Sequence, residues 1–359
     1  MESEIRRAWV EVDLGALTRN AAALAARAGV PLLAVIKADA YGLGAPRVAR
    51  ALESLEPWGY GVATVAEGVC LRDAGITRPI LVLSPLLVDE FEEARRARLR
   101  PSLGSREAIR RWVNGAGAWH LQIDTGMNRA GIGWRDVGAI ANVAGLSPPE
   151  GAFTHFHSAD LDDGSMEEQE RRFRAAIGAL AARPAILHVE NSPAIARRTG
   201  SAWDLVRPGV FLFGVGSGPG AAIEPEPVVH LRARIVEVRT IGEGESVSYA
   251  ATWCASGPRR IATAAIGYAD GYRRSLGNRA QALVRGHRVP VAGLVTMDMV
   301  MLDVTDVPCE VGDVATLLGR DGAELIDLGE LSSFCDLSPY ELLIGLRLRV
   351  PHIHRDHVS

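Results

Sequence analysis

Pro31-Leu32-Leu33-Ala34-Val35-Ile36-Lys37-Ala38-Asp39-Ala40-Tyr41-Gly42-Leu43-Gly44 is an unbroken apolar run that delivers a lysine and then turns. A run apolar at every position, rather than at alternate ones, reads as a strand buried on both faces. Lys37 is also the only lysine among 39 basic residues. Arginine can serve as a surface charge, an ion-pair partner or a phosphate clamp, but it cannot lose its proton near neutral pH and act as an amine nucleophile. A codon bias toward arginine accounts for the other positions. It does not account for a lysine at the end of a buried-looking strand, where lysine is disfavoured. A desolvated, reactive amine does.

The pattern repeats outward from this stretch. Trp9 to Leu14 alternates like a strand, and Leu14, Leu17, Ala21 and Leu24 then share a helix face. The spacing predicts strands at Pro31–Lys37, Tyr60–Ala63, Pro79–Leu83, Ala118–Ile123, Pro149–His155 and Ala185–Val189. Helices are predicted at Pro46–Leu55, Glu67–Asp73, a Glu/Arg-rich run through Arg98, a segment after Trp134, and Gln169–Ala181. Such alternation predicts an α/β fold with a parallel sheet, and about eight units before residue ~225 favour a closed (β/α)8 TIM-type barrel. An open doubly wound sheet is the alternative, but no G-x-G-x-x-G follows the first strand. Past Gly216-Ser217-Gly218-Pro219-Gly220 and Glu224-Pro225-Glu226-Pro227 come short strands separated by Gly and Asp turns. The expected division is a barrel over 8–225 and a mostly β C-terminal domain over 226–359, with the N-terminal strand as a possible member of the latter.

Composition excludes some functions. A net charge of −4 gives no electrostatic case for nucleic acid or an anionic membrane. No apolar run spans a bilayer, and the acidic start does not resemble a signal peptide. Cys70, Cys254, Cys309 and Cys335 lack metal-site spacing and read as buried thiols in a reducing compartment, so the expectation is a cytoplasmic enzyme without a metal.

Lys37, Arg129, His155, His188 and Arg207 each fall at or just past a predicted strand end, where a barrel gathers its chemistry. Any one of them alone has an innocuous structural reading. Together they offer an amine, flat rings and guanidiniums, a set that suits one carbonyl-bearing cofactor.

The opening stretch resembles the cofactor-lysine motif of alanine racemases, pyridoxal-phosphate (PLP) enzymes with a (β/α)8 barrel, and the resemblance runs nearly end to end. It implies that Lys37 attaches PLP and acts as one base. Tyr41, Ser192 of His188-Val189-Glu190-Asn191-Ser192, the backbone N–H groups of Gly209 and Val210, and Tyr340 would bind the phosphate. Arg207 would face the pyridine nitrogen with His188 behind it, and His155 would lie against the ring. Arg129, in Asp124-Thr125-Gly126-Met127-Asn128-Arg129, would reach the substrate carboxylate. Val247-Ser248-Tyr249 is similar to the motif of the second catalytic base, which makes Tyr249 that base. Met297, before Asp298, would offer its N–H to the carboxylate, and Ile266 to Tyr272 would line the access path. In the family Tyr249 and Met297 act across a homodimer, so the active sites would be shared between subunits.

The departures are Leu43 for a histidine, Gln122 for a lysine that is often carbamylated, Glu190 for a small residue, Ala250 for a glycine, Leu294 for an arginine and Thr296 for a cysteine. Gln122 is expected to brace Arg129 by a hydrogen bond. The resemblance implies racemisation of a small amino acid, L-alanine to D-alanine, by two bases. A PLP enzyme acting on another amino acid, or decarboxylating one, and a non-catalytic PLP-binding protein are the alternatives.

Overall fold

The structure is a computed structural model that describes residues 6–115, 117–140, 147–346 and 349–357. Parallel strands Leu33–Val35, Gly59–Val62, Ile80–Val82, Arg100–Leu103, His120–Asp124, Gly151–Phe153 and Ile186–His188 neighbour one another in that order. The ring is completed by residues 205–208. Leu32 bridges Val206, Asn191 bridges Arg207, and the N–H of Val35 donates to the Pro208 carbonyl at 2.8 Å. The closed barrel, not the open sheet, is the architecture.

The two faces of the strands explain the uniformly apolar runs. Leu33, Val35, Leu81 and Leu205 pack inside the barrel, while Leu32, Ala34 and Ile36 belong to the core beneath the helices. Asp13 caps the first helix, Leu14–Ala28, by accepting from the Ala16 N–H, and Gly29 ends it in the left-handed region at φ 68°.

Two features differ from the sequence expectation. Arg100–Leu103 and the helix Arg106–Val113 form a unit that periodicity did not mark, because Arg100, Pro101 and Ser102 break the apolar run. The helix expected after Trp134 begins as a short 3-10 turn, Val137–Ile140, and the rest lies outside the described residues. The cysteines also need correction. Cys309 is buried, but Cys70 and Cys254 are exposed, one on an outer helix face and one on a two-residue strand.

The C-terminal sheet is built on Val229–Ile241, which pairs with Ala8–Asp13, Arg259–Ala264 and Val314–Asp321. Ala8–Asp13 pairs in turn with His352–Arg355, so the N-terminal strand lies in this sheet and not in the barrel. The chain then enters the barrel through Leu14–Ala28. Among the described residues no helix is long and apolar enough to cross a membrane.

Candidate active site

The strand that carries Lys37 ends at Val35, and the chain then turns in an unusual way. Ala38, Asp39, Ala40 and Tyr41 all lie in the left-handed region, at φ 53–56°. Their turn is pinned from two sides. Glu67 accepts from the N–H groups of Ala38 (2.9 Å) and Ala63 (2.7 Å), and Asp39 accepts from the Ala45 N–H at 2.8 Å. Lys37 and Tyr41 thereby face a cavity of about 460 Å³ at the barrel mouth.

Arg129, His155, Ser192, Arg207, Gly209, Val210 and Tyr340 also line this cavity. Burial lowers the Lys37 ammonium pKa, and Arg129 lowers it further against the pull of Glu67. His155 is held down to about 3 by burial and by Arg207, Arg129 and Lys37, so its ring is neutral at physiological pH. Arg207 is buried, and its Nη atoms donate to the carbonyls of His188 (2.6 Å), Thr154 (2.6 Å) and Val189 (3.2 Å). Burial brings its pKa down to about 9, which leaves a cation at neutral pH. Ser192 Oγ accepts from the Gly209 N–H at 2.8 Å, and a Cβ on Gly209 would stand 2.9 Å from the Tyr41 hydroxyl. A side chain at 209 would therefore push the Tyr41 hydroxyl aside.

Three expected site residues do not line the cavity. One of them, His188, stands where it was expected, buried behind Arg207. Tyr249 is 68% exposed and Met297 53% exposed, together on a separate groove of the C-terminal domain. The expected Gln122–Arg129 hydrogen bond is not formed. Gln122 lines the same cavity, but its Oε1 meets no donor among the described residues, and Arg129 sits in the loop past that strand. Sequence reasoning missed Glu67, whose role becomes visible only when the second barrel unit is laid beside the first.

Residues 12–217 match the alanine racemase N-terminal domain and residues 228–354 the alanine racemase C-terminal domain. The chain belongs to the alanine racemase family. An alanine racemase of Symbiobacterium thermophilum is 40% identical over 98% of this chain and 97% of its own length. The crystal structure of alanine racemase from E. faecalis superposes with a TM-score of 0.91 at 29% identity, covering 98% of this chain and 99% of that one. That of Bartonella henselae, with covalently bound pyridoxal phosphate, gives 0.89 at 27% identity and covers 97% of this chain and 99% of that one. The family is one of PLP-dependent isomerases that racemise amino acids, and the cavity suits that cofactor. It offers a single amine for an aldehyde, the hydroxyls of Tyr41, Ser192 and Tyr340 for a phosphate, a buried guanidinium, and an unpartnered Gln122 carbonyl on the wall. Among the described residues no cluster could hold a metal.

Proposed function

We propose that this chain interconverts L- and D-alanine with two bases, Lys37 from one subunit and Tyr249 from the other subunit of a homodimer. The observation that carries the reading is a division of the expected residues. One base lines the cavity at the barrel mouth, while Tyr249 and Met297 stand exposed on another face and need a second copy to reach a cavity of this kind.

PLP, when bound, withdraws electrons from the substrate Cα and so acidifies its hydrogen. Lys37 would hold the cofactor, with Tyr41, Ser192, Tyr340 and the backbone at Gly209 and Val210 around its phosphate and His155 against its ring. Arg207 would face the ring nitrogen. Because Arg207 already donates and stays cationic, it discourages protonation there, which favours returning the proton to Cα over moving it elsewhere. Arg129 and the Met297 N–H would orient the substrate carboxylate. Lys37 Nζ then holds or yields the Cα proton on one face, and Tyr249 Oη on the other. The depressed pKa of Lys37 eases its deprotonation in the first role.

Two measurements test the reading. Mixing inactive Lys37→Ala and Tyr249→Phe proteins should restore partial activity, since one site of each mixed dimer holds both intact residues. No rescue under any subunit-exchange conditions would place both bases in one chain. Substrate ranking tests the rest: alanine should exceed every common amino acid in kcat/KM. Serine and 2-aminobutyrate should follow, since a small change in an apolar pocket is worth only ~1–3 kcal/mol. A bulky amino acid preferred by about tenfold, or about 1.4 kcal/mol, would overturn the alanine assignment.

A further inference from the structure

Behind Arg207 a line of hydrogen bonds crosses the barrel. Arg207 Nη1 stands 3.0 Å from His188 Nδ1. The other nitrogen of that ring, Nε2, lies 2.8 Å from His120 Nδ1, and His120 Nε2 lies 3.2 Å from Glu150 Oε2. Arg100 closes the far end by donating to both carboxylate oxygens. His188 ends its strand at the mouth, whereas His120 opens its own and Glu150 immediately precedes Gly151–Phe153. Both histidines are fully buried.

A chain of this kind between ends of fixed chemistry has one polarity. A guanidinium only donates and a carboxylate only accepts. His188 Nδ1 must therefore be bare, its Nε2 must carry the hydrogen, His120 Nδ1 must accept, and His120 Nε2–H must donate to Glu150. Charging either ring would set a donor against a donor. The packing is cut to this arrangement. A Cβ on Gly151 would stand 2.6 Å from His120 Nδ1 and Cε1, so the neighbouring strand gives up its side chain to the ring. Phe153 stacks on His188 at 16°, with ring centroids 5.0 Å apart, and fixes its plane.

We propose that His120 and Glu150 are positioning residues for Arg207, locking His188 as the Nε2–H tautomer so that its Nδ1 accepts from the guanidinium. The proposal rests on the reading that Arg207 faces the cofactor ring. Without the carboxylate, His120 can take the opposite tautomer and His188 can follow, presenting an N–H to Arg207 and displacing it. Glu150 thus acts on the mouth of the barrel from its opposite end.

The test is nitrogen-15 NMR of histidine-labelled holoenzyme together with steady-state kinetics. At neutral pH, His188 and His120 should both be neutral with the hydrogen on Nε2. Glu150→Leu should shift both rings toward a mixture of tautomers and lower kcat about tenfold with little change in KM. Glu150→Gln keeps an acceptor oxygen and should retain the tautomers and most of kcat. A native spectrum with Nδ1–H or a charged ring at either histidine would overturn the proposal even if no variant folds. An unchanged Glu150→Leu spectrum would overturn the lock and leave the reading of Arg207 intact. A changed spectrum with unchanged kcat would overturn the positioning role and trace the fault to Arg207 itself.

Discussion

A lysine desolvated at a barrel mouth beside a guanidinium holds its proton less tightly than one in water. Lys37 has no understudy, since every other cationic side chain is arginine or histidine. Lys37→Ala should therefore abolish both racemisation and the visible absorbance of the bound cofactor, and borohydride reduction of the native holoenzyme should label a single peptide, the one containing Lys37. A mutant that kept the absorbance would show that attachment lies elsewhere. The residues that were legible in the sequence are those with strong local context: Lys37 before its Ala-Asp-Ala-Tyr, Arg129 after Asp-Thr-Gly-Met-Asn, and Arg207 before Pro-Gly. His120, Glu150 and Glu67 were not, because each acquires its partner from another strand or turn. A lone histidine in an apolar run carries no sign of the ring 2.8 Å away in space.

At the scale of elements, the turn after Lys37 concentrates the strain. Each non-glycine residue in the left-handed region costs roughly 1–2 kcal/mol, and Ala38, Asp39, Ala40 and Tyr41 occupy it in succession. Their placement is bought by the hydrogen bonds to Glu67 and Asp39. Ala38→Gly relieves one such conformation at a cost of about 0.4–1 kcal/mol in unfolded-chain entropy, so stability should hold or rise slightly. Ala38→Val puts a β-branched residue at φ 53° and should lose at least about 1 kcal/mol. Chemical denaturation of the two variants beside the parent decides the matter, and equal stabilities would remove the strain argument. This turn was not legible from composition: Lys-Ala-Asp-Ala-Tyr has ordinary right-handed helix formers, and only the anchors around it set the opposite hand. Pro101 hid the strand Arg100–Leu103 in a similar way, since its place in the sheet comes from neighbouring strands rather than from its own pattern.

The whole molecule carries a pH dependence that follows from its interior. His120, His188 and His230 are buried, and burial lowers the pKa of all three below the ordinary 6.5, His230 to about 4. Folded, these rings stay neutral as the pH falls; unfolded, they take up protons near ~6.5. The unfolded chain then binds more protons than the folded one, so stability rises with pH through this window and falls on acidification, by up to about 1.4 kcal/mol per pH unit for each histidine. Glu150 adds a second phase. Its burial would raise its pKa, but the hydrogen bonds from His120 and Arg100 outweigh this and hold it at about 2 against an ordinary 4.5. Its contribution is present in full above 4.5 and is lost as the pH falls toward 2. Denaturant midpoints should accordingly decline steeply between about pH 6.5 and 5, before any carboxylate of ordinary pKa titrates. His230 lies in the C-terminal sheet, away from the cofactor cavity, and donates or accepts only locally, with its Nδ1 receiving the Arg320 N–H at 3.1 Å. Replacing it with a neutral residue that accepts the same hydrogen bond, His230→Asn, should flatten the decline by about one proton's worth while leaving racemisation unchanged. A profile level down to pH 5 in the parent would show that these rings take up protons in the folded state as readily as in the unfolded one, against the lowering that burial imposes.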